Sequence, residues 1–347
     1  MHVVILTGGG DCPGLNAVIR AVTRRCMGDY GWLVSGVRDG WRGLMENEVS
    51  PLSLARVSGI LPTGGTILGT SRTNPFSMPG GPEKILHTVK EEGIDAIVAI
   101  GGEDTLGVAL RLHQEFGVHV VGVPKTIDND LCGTDYTFGF DTAVHVATEA
   151  IDRLHTTAES HNRAMVVEVM GRHAGWIAVM SGIAGGADVI LIPEFPMTME
   201  DMCELVQQRA DRGKRFSIIV VSEGAKLAWR SGRAETVVSS EAVDSFGHAR
   251  LGGVGTVVAQ EIERLTGIEA RVTILGYVQR GGSPTARDRV LATRFGVKAA
   301  EMVQAGGWGS MAALRGDDIV SCPLAEALEK PKLVPAELYE IARTFFG

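Results

Sequence analysis

Gly101-Gly102-Glu103-Asp104-Thr105 is the stretch of sequence that decides the fold, together with the loop Pro124-Lys125-Thr126-Ile127-Asp128-Asn129-Asp130 that follows it. Each stretch comes directly after an apolar run, residues 96–100 before the first and residues 118–123 before the second. Continuous Val and Ile without alternation is typical of parallel strands that are buried on both faces. Residues 105–116, between the two runs, have the length of a helix. The pattern therefore predicts a β-α-β unit.

In open parallel sheets, ligands bind outside the carboxyl ends of the strands, so both loops are expected to border one crevice. Glycine lets the backbone approach a phosphate closely, and a helix that starts after Asp104 offers free N–H groups to an anion. Glu103, Asp104, Asp128 and Asp130 would then share that crevice. Carboxylates beside an anion site need a cation, and Mg²⁺ fits because it prefers hard oxygen ligands and keeps several waters. The two loops together predict phosphoryl transfer from a Mg²⁺-bound polyphosphate.

A simpler interpretation is that the first loop is a tight turn in front of a helix. Acidic residues are favoured in the first turn of a helix because they complement its dipole. The second acidic loop weakens this interpretation, since the same explanation must then be invoked twice at neighbouring strand ends.

The composition is that of an ordinary globular protein. A length of 347 residues predicts two domains, and 45% hydrophobic with 21% charged residues is enough for a proper core in each. The net charge of −8 argues against partners such as nucleic acid or a membrane surface, without excluding local basic patches. Five cysteines without a CxxC pair predict a reducing, cytoplasmic compartment. No apolar run reaches the length of about 18 residues that a membrane span needs.

The alternation of strands and helices continues into the second half of the chain. Residues 165–169, 188–192 and 216–221 read as further strands. This order predicts an α/β fold with two similar three-layer domains, mostly parallel central sheets and an active site in the cleft between them. Residues 39–43 are predicted to form a turn, and residues 226–250 are polar and poorly periodic, which predicts a surface excursion. Residues 311–314 are predicted to be the last strand.

Two further loops carry features of phosphate sites. Residues 8–14 form a glycine-rich loop between a predicted strand and a predicted helix, but they lack the Gly-Lys-Ser/Thr ending of a P-loop. A plain turn remains an alternative there. Residues 64–72 are rich in glycine and hydroxyl groups and end in Arg72, whose rigid guanidinium suits phosphate. A solvated surface arginine is the alternative for Arg72.

Several arginines flank or end predicted strands. They are Arg163, Arg172, Arg271 and Arg280, and Glu223 has a similar position. Arginines that converge from different strand ends would bind a dianionic phosphate through paired hydrogen bonds, and Glu223 could accept hydrogen bonds from sugar hydroxyls. Each arginine taken alone could equally be solvated or ion-paired at the surface.

With these residues assembled, the chain resembles the 6-phosphofructokinases over essentially its full length. Seven motifs in the family's order carry the resemblance: residues 6–16 (LTGGGDCPGLN), 69–72 (GTSR), 101–105 (GGEDT), 126–130 (TIDND), 170–172 (MGR), 222–224 (SEG) and 279–282 (QRGG). Among the family's members, the chain looks like the bacterial ones that use pyrophosphate.

The resemblance implies a role for each matching residue. Asp128 matches the base that takes the proton of the sugar 1-hydroxyl, and Glu103 and Asp130 match acids that bind or organise Mg²⁺. The donor site is implied to comprise Gly9, Arg72, Gly102, Asp104 and Lys125. The fructose 6-phosphate site is implied to comprise Thr126, Asp128, Met170, Gly171, Arg172, Glu223, Tyr277 and Arg280, with Tyr277 where many relatives have histidine. Arg163 and Arg271 match arginines that reach into a neighbouring subunit's site, which implies a homodimer or homotetramer.

The resemblance also implies how the domains divide the work. Residues 1–139 with 279–330 would form the phosphoryl-donor domain, and residues 140–278 with 331–347 the fructose 6-phosphate domain. ATP-using relatives carry glycine where this chain has Asp104 and Lys125. A carboxylate about 4 Å from a phosphate charge costs roughly 4 kcal/mol at an effective dielectric constant near 20, about three orders of magnitude in affinity.

Asp104 is therefore expected to exclude ATP, which leaves pyrophosphate as the donor. Lys125 and Arg172 are expected to stabilise the charge on the phosphates during an in-line transfer to O1 of fructose 6-phosphate. Two alternatives stay open. One is an ATP-dependent phosphofructokinase, and the other is a sugar-phosphate sensor without catalytic activity.

Overall fold

The computed structural model of the chain describes residues 1–243, 245–247 and 249–347, with the backbone alone at residues 235, 238–243, 249 and 250. In chain order the strands are β1 (His2–Thr7), β2 (Leu33–Val37), β3 (Val49–Pro51), β4 (Ala96–Gly101), β5 (Val120–Pro124), β6 (Ala164–Val169), β7 (Val189–Leu191), β8 (Ser217–Ser222), β9 (Lys226–Ala228), β10 (Ala234–Thr236), β11 (Val238–Val243), β12 (Ala249–Leu251), β13 (Ala270–Ile274), β14 (Ser310–Arg315) and β15 (Asp318–Pro323). The helices are α1 (Leu15–Gly28), α2 (Gly40–Met45), α3 (Gly81–Glu91), α4 (Glu103–Phe116), α5 (Phe140–His161), α6 (Trp176–Ala184), α7 (Met199–Asp211), α8 (Val254–Thr266), α9 (Ala286–Ala305), α10 (Leu324–Ala327) and α11 (Ala336–Arg343).

The larger sheet has seven strands in the order β15-β14-β5-β4-β1-β2-β3. Its inner pairs are parallel, and only the edge strands β3 and β15 run antiparallel to their neighbours. Register aligns the carboxyl ends of the central strands, with Thr7 beside Ile100 and Gly101 beside Pro124. The loops that follow β1, β4 and β5 therefore emerge at the same edge of this sheet.

The smaller sheet has four strands in the order β13-β6-β8-β7, all of them parallel. Val169 at the end of β6 lies beside Ser222 at the end of β8. The α/β fold with mostly parallel sheets is confirmed, with sheets of unequal size.

Helices cover both faces of each sheet. Alternate residues of a strand point to opposite faces, so Val3 and Ile5 of β1 join one apolar cluster and Val4 and Leu6 another. The first of these clusters also contains residues of α1, α5 and α9 and reaches Met165 of β6. It is therefore shared by the two sheets and fixes their relative position.

The structure differs from the sequence-based expectations in several elements. The turn predicted at residues 39–43 is wrong, because α2 begins at Gly40 and buries Trp41 and Leu44. The last strand is β15 rather than β14. It was missed because it is an exposed edge strand without a regular apolar pattern. Helix α6 was also missed, since it is apolar on most sides and lacks the polar face that marks a surface helix.

Residues 226–250, predicted to be a surface excursion, form two short hairpins, β9 with β10 and β11 with β12. Residues 244 and 248 of that prediction lie outside the described residues. All five cysteines are free. Among the described residues, no helix combines the length and the apolar character that crossing a membrane requires.

Candidate active site

A cavity of about 940 Å³ lies where the carboxyl ends of the strands of both sheets face each other. Its lining includes the loops after β1, β4 and β5 from the larger sheet and the loops after β6 and β8 from the smaller one. Most residues predicted to act in the site line this cavity: Gly9, Arg72, Gly102, Glu103, Asp104, Lys125, Thr126, Asp128, Asp130, Met170, Arg172, Glu223, Tyr277 and Arg280. The crevice expected at the strand ends is therefore present.

The glycine loop after β1 is fastened to its neighbours by backbone hydrogen bonds. Gly8 N donates to Ile100 O at 3.0 Å, and Gly9 N donates to Ser71 O at 3.0 Å. A Cβ atom at Gly8 would lie 2.5 Å from Oγ1 of Thr105, and Gly9 has a φ of 77° that side chains rarely adopt. Only glycine allows these segments to pack so closely, which leaves backbone rather than side chains along this wall.

The acidic pair after β4 lies in the first turn of a helix. Helix α4 begins at Glu103, earlier than predicted, and Gly102 is its N-cap. Glu103 is exposed and Asp104 is half-buried, and both line the cavity. The two carboxylates therefore complement the helix dipole, as the simpler interpretation expects, and they also border the cavity, so the functional interpretation stays a prediction.

Asp128 is held in a tight loop after β5. Its backbone N–H donates to Oγ1 of Thr126 at 3.1 Å. Its Oδ1 atom is buried and has no hydrogen-bond partner within the described part of the chain. Burial, together with the neighbouring charge of Asp130, raises the pKa of Asp128 to about 7, while Arg280 opposes the shift. A buried acceptor without a donor, with a pKa near neutrality, has the properties of a general base.

Lys125 lies under the glycine loop. It is 3% exposed, and its Nζ donates a hydrogen bond to Gly10 O. An added Cβ at Gly9 would be 3.5 Å from this Nζ. Burial lowers the pKa of Lys125 to about 8. The ammonium is therefore charged at neutral pH and sits where a phosphate bound by the glycine loop would meet it.

The acceptor side of the cavity is built on Gly171, which itself lies behind the lining. Gly171 has a φ of 137°, and its carbonyl accepts hydrogen bonds from Ser222 Oγ at 2.7 Å and from Gly224 N at 3.0 Å. These bonds join the loop after β6 to the loop after β8. Burial raises the pKa of Glu223 on the second loop, while Arg172 on the first counteracts the shift.

Arg280 crosses from the acceptor side to the donor side. A Cβ atom at Gly10 would lie 2.7 Å from its Nη1, which also donates a hydrogen bond to Asp11 O at 3.4 Å. Its Nε is buried without a partner among the described residues. The sequence placed Arg280 in the acceptor site alone, whereas the structure sets it between the glycine loop and Asp128. Tyr277 lies at the opening of the cavity, and 75% of its surface is exposed.

Besides Gly171, two predicted site residues, Arg163 and Arg271, do not line the cavity of their own chain. Arg163 Nε pairs with Glu269 Oε2 at 2.7 Å, and Arg271 pairs with the same Glu269. Arg271 also lies 3.3 Å from Glu263. Both arginines are therefore at the surface near the edge strand β13. Their predicted role in a neighbouring subunit's site stays a prediction.

Several cavity residues were missed by sequence reasoning. Glu168 lines the cavity, and its carboxylate accepts hydrogen bonds from the backbone N–H groups of Gly253 and Gly255 at the start of α8. A charged residue inside the apolar strand β6 was the signal that could have identified it. Ser245, in the excursion taken for plain surface, donates to Arg72 O, and Leu251 lines the cavity. Nothing in the sequence marked these long-range contacts.

The acidic residues were tested as a site for Mg²⁺. The described residues contain no group of three or more His, Cys, Asp or Glu side chains placed to hold a metal ion. Mg²⁺ is usually bound by one or two carboxylates together with substrate phosphates and waters, so a protein cage is not required. Glu103 and Asp130 line the same cavity as Asp128, whose Oδ1 has no hydrogen-bond partner among the described residues. This set of oxygen ligands fits Mg²⁺ that arrives with a polyphosphate.

Comparison with known proteins gives consistent matches over the chain. A family model described as Phosphofructokinase matches residues 2–303. A pyrophosphate–fructose 6-phosphate 1-phosphotransferase of Amycolatopsis methanolica is 60% identical over 347 residues, which is 100% of both chains. An ATP-dependent 6-phosphofructokinase of Mycobacterium bovis is 54% identical over 349 residues, also 100% of both chains.

The fold has solved relatives as well. The crystal structure of Pichia pastoris phosphofructokinase in the T-state superposes with a TM-score of 0.81 at 33% identity. The match covers 99% of this chain and 36% of that longer one.

Proposed function

Because this chain belongs to the phosphofructokinase family, we propose that it transfers a phosphoryl group from pyrophosphate to O1 of fructose 6-phosphate. The products are fructose 1,6-bisphosphate and phosphate. The observation that carries the choice of donor is the pair Asp104 and Lys125, which both line the cavity beside the glycine loop. Pyrophosphate meets the ammonium of Lys125 and stops short of the carboxylate of Asp104.

ATP would have to extend past that carboxylate. Its third phosphate and nucleoside would lie against a negative charge, at a cost of roughly 4 kcal/mol at about 4 Å. The relative from Amycolatopsis methanolica, which is named for pyrophosphate, supports this choice. The relative from Mycobacterium bovis is named for ATP, and ATP is therefore the competing donor.

The transfer is an in-line displacement at phosphorus. Asp128 accepts the proton of the 1-hydroxyl while O1 bonds to phosphorus, and the bond from phosphorus to the bridging oxygen breaks with its electron pair on the departing phosphate. Lys125 and Arg172 neutralise the phosphate charges, and Arg280 lies between the two substrates. Such catalysis is mostly positioning and electrostatic stabilisation. Glu103 and Asp130 would hold Mg²⁺, which supplies charge neutralisation on the phosphate oxygens when bound.

The reaction is expected to run in both directions, as a step of glycolysis or of its reverse. The reason is that pyrophosphate is an anhydride without the large contribution that a nucleotide makes to the equilibrium. We also propose that residues 1–139 with 279–330 form the phosphoryl-donor domain and that residues 140–278 with 331–347 form the fructose 6-phosphate domain.

We further propose a homodimer or homotetramer in which Arg163 and Arg271 reach the acceptor site of a neighbouring copy. Both lie beside the edge strand β13, where Ile274 and Val278 are exposed apolar residues. A fully active protein that sediments as a monomer at the assay concentration would contradict this arrangement.

The first test compares the two donors. Initial rates with fructose 6-phosphate and Mg²⁺ are expected to give a kcat/KM for pyrophosphate that is about 1,000-fold above that for ATP, the ratio that corresponds to about 4 kcal/mol. A higher value with ATP would make the chain an ATP-dependent phosphofructokinase. Binding of fructose 6-phosphate without turnover from either donor would instead indicate a sugar-phosphate sensor.

The pH dependence follows from the two buried groups. The value of kcat/KM is expected to rise as pH increases through about 7, where Asp128 loses its proton, and to fall through about 8, where Lys125 loses its charge. Lys332, a second buried lysine whose pKa is lowered to about 8, steepens the alkaline fall. The Lys125→Arg variant keeps its charge in this range, so its rate should fall less steeply with pH.

The wild type, measured in parallel, controls for ionisation of the substrates, which is common to both proteins. If kcat/KM falls equally steeply with rising pH in the wild type and in Lys125→Arg, the reaction does not require the positive charge of Lys125. An acidic limb in the range of an ordinary carboxyl group would show that Asp128 is not the base.

A further inference from the structure

The loop that carries Asp128 is tied down by a short segment near the carboxyl terminus, residues 331–334, which we call the strap. Pro331 pairs with Leu131 in an antiparallel bridge, and Lys332 N donates to Asp130 O at 2.7 Å. On its other side the strap contacts α6, since Trp176 Nε1 donates to Lys332 O at 2.8 Å. The strap thus lies between the loop after β5 and the start of α6.

The side chain of Lys332 enters this loop. Its Nζ donates to Asn129 Oδ1, to Thr134 O and to Asp135 O, each at 2.9 Å. An ammonium has three protons to donate, so all of them are used here. Burial lowers the pKa of Lys332 to about 8, with Asp135 and Asp130 opposing the shift. A partly desolvated charge that is completely hydrogen-bonded acts as a rigid clamp rather than a solvated surface group.

The first partner of this clamp is the residue between the two functional acids. Asn129 has a φ of 51°, in the left-handed region that is uncommon for residues other than glycine. Its Oδ1 also accepts a hydrogen bond from Thr137 N at 3.1 Å. The turn at Asn129 directs its neighbours Asp128 and Asp130 to the cavity, which both of them line. The direction of the two carboxylates therefore depends on the bonds that hold Asn129.

We propose that Lys332 is a positioning residue for phosphoryl transfer, which acts by clamping the turn at Asn129 so that Asp128 and Asp130 face the substrates. This inference rests on the proposed function for the roles of the two acids, and it is independent of which donor is used. The strap also contacts the acceptor side of the cavity through Trp176 and Glu194, whose Oε1 accepts from Val334 N at 3.0 Å and from Gly175 N at 3.0 Å. It therefore joins the catalytic loop to the element that follows Arg172.

The test replaces Lys332 with methionine, which keeps the length of the side chain and removes the ammonium. Misplacing a reacting group by about 1 Å costs roughly 100-fold in rate, so kcat is expected to fall about 10-fold to 100-fold. The KM for fructose 6-phosphate should change little, because the hydrogen bonds of Lys332 Nζ go to Asn129, Thr134 and Asp135, which are not among the residues proposed to bind that substrate. The Mg²⁺ concentration for half-maximal rate should rise, because Asp130 loses its fixed direction.

Lys330→Met is the matched control, since Lys330 lies two residues earlier and is exposed. Hydrogen exchange should become faster at residues 129–137 in Lys332→Met and stay unchanged in the central strands of both sheets. Rescue provides a second readout, in which added alkylammonium ions should restore part of the kcat of Lys332→Ala.

The proposal is overturned if Lys332→Met matches Lys330→Met in kcat and in Mg²⁺ dependence. It is also overturned if activity is lost only in proportion to unfolded protein, as measured by circular dichroism at the assay temperature. Wild-type activity with ATP instead of pyrophosphate would refute the donor assignment alone, and the same comparison would then be made with ATP. If neither donor supports turnover, the exchange at residues 129–137 still decides whether Lys332 clamps the loop.

Discussion

Replacing Asp128 by asparagine is expected to lower kcat about 100-fold to 10,000-fold, the range for a lost general base. The amide keeps the shape of the carboxylate but cannot accept the proton of the sugar 1-hydroxyl. The KM for fructose 6-phosphate should change much less, because Arg172, Glu223 and Arg280 remain in place. The measurement is the initial rate with saturating pyrophosphate, fructose 6-phosphate and Mg²⁺.

The stability of the Asp128→Asn variant separates this role from a structural one. The buried Oδ1 of Asp128 has no partner in the described part of the chain, so the native carboxylate is not stabilising the fold through that atom. We therefore expect the thermal unfolding midpoint of Asp128→Asn to equal or exceed that of the wild type. An inactive variant with a strongly lowered midpoint would point to a structural role, and a fully active one would remove Asp128 as the base.

The second large effect is a change of donor in the double variant Asp104→Gly, Lys125→Gly. Removing the carboxylate should relieve about 4 kcal/mol of repulsion and raise kcat/KM for ATP about 1,000-fold. Removing the ammonium should weaken the use of pyrophosphate, because the departing phosphate loses a positive charge that stabilises it. The measurement is kcat/KM for both donors at the same Mg²⁺ concentration.

Two single variants separate the effect of losing a side chain's charge from the effect of losing its volume. Asp104→Asn keeps the size of the side chain and removes its charge, so it should gain most of the ATP activity if repulsion dominates. Lys125→Met keeps the buried stem under the glycine loop, which guards against a loss of folding caused by the empty space. Continued rejection of ATP by a folded double variant would show that other contacts, such as that of Ser245 with Arg72 O, exclude the nucleotide.

Much of the site was predictable because parallel strands place their functional residues at their carboxyl ends. The runs before Gly101 and Pro124 were recognisable as buried strands, and the residues that follow them line one cavity. Glu103 and Asp128 could therefore be assigned to the same crevice from their positions after those runs. The glycine loop at residues 8–14 was also identifiable, since it lies between a predicted strand and a predicted helix, and in the structure Gly8 packs closely against Thr105.

Other features could not be read from the sequence, because they depend on contacts between distant segments. The position of Arg280 against Gly10 joins residues from opposite ends of the chain, and no local pattern marks it. The same holds for Lys332, whose three hydrogen bonds reach residues 129–135. A lone lysine in a polar segment is indistinguishable from a solvated one until the chain is folded.

The sequence by itself determined the α/β class, the edge of the sheets where the site lies and the chemical character of the loops around it. These follow from local rules, since apolar runs set the strands and the residues after them set the loops. Tertiary structure alone decided which charges are buried, and with them the raised pKa of Asp128 and the lowered pKa of Lys125. The physical reason is that desolvation depends on everything packed around a group, and sequence neighbours are only a small part of those surroundings.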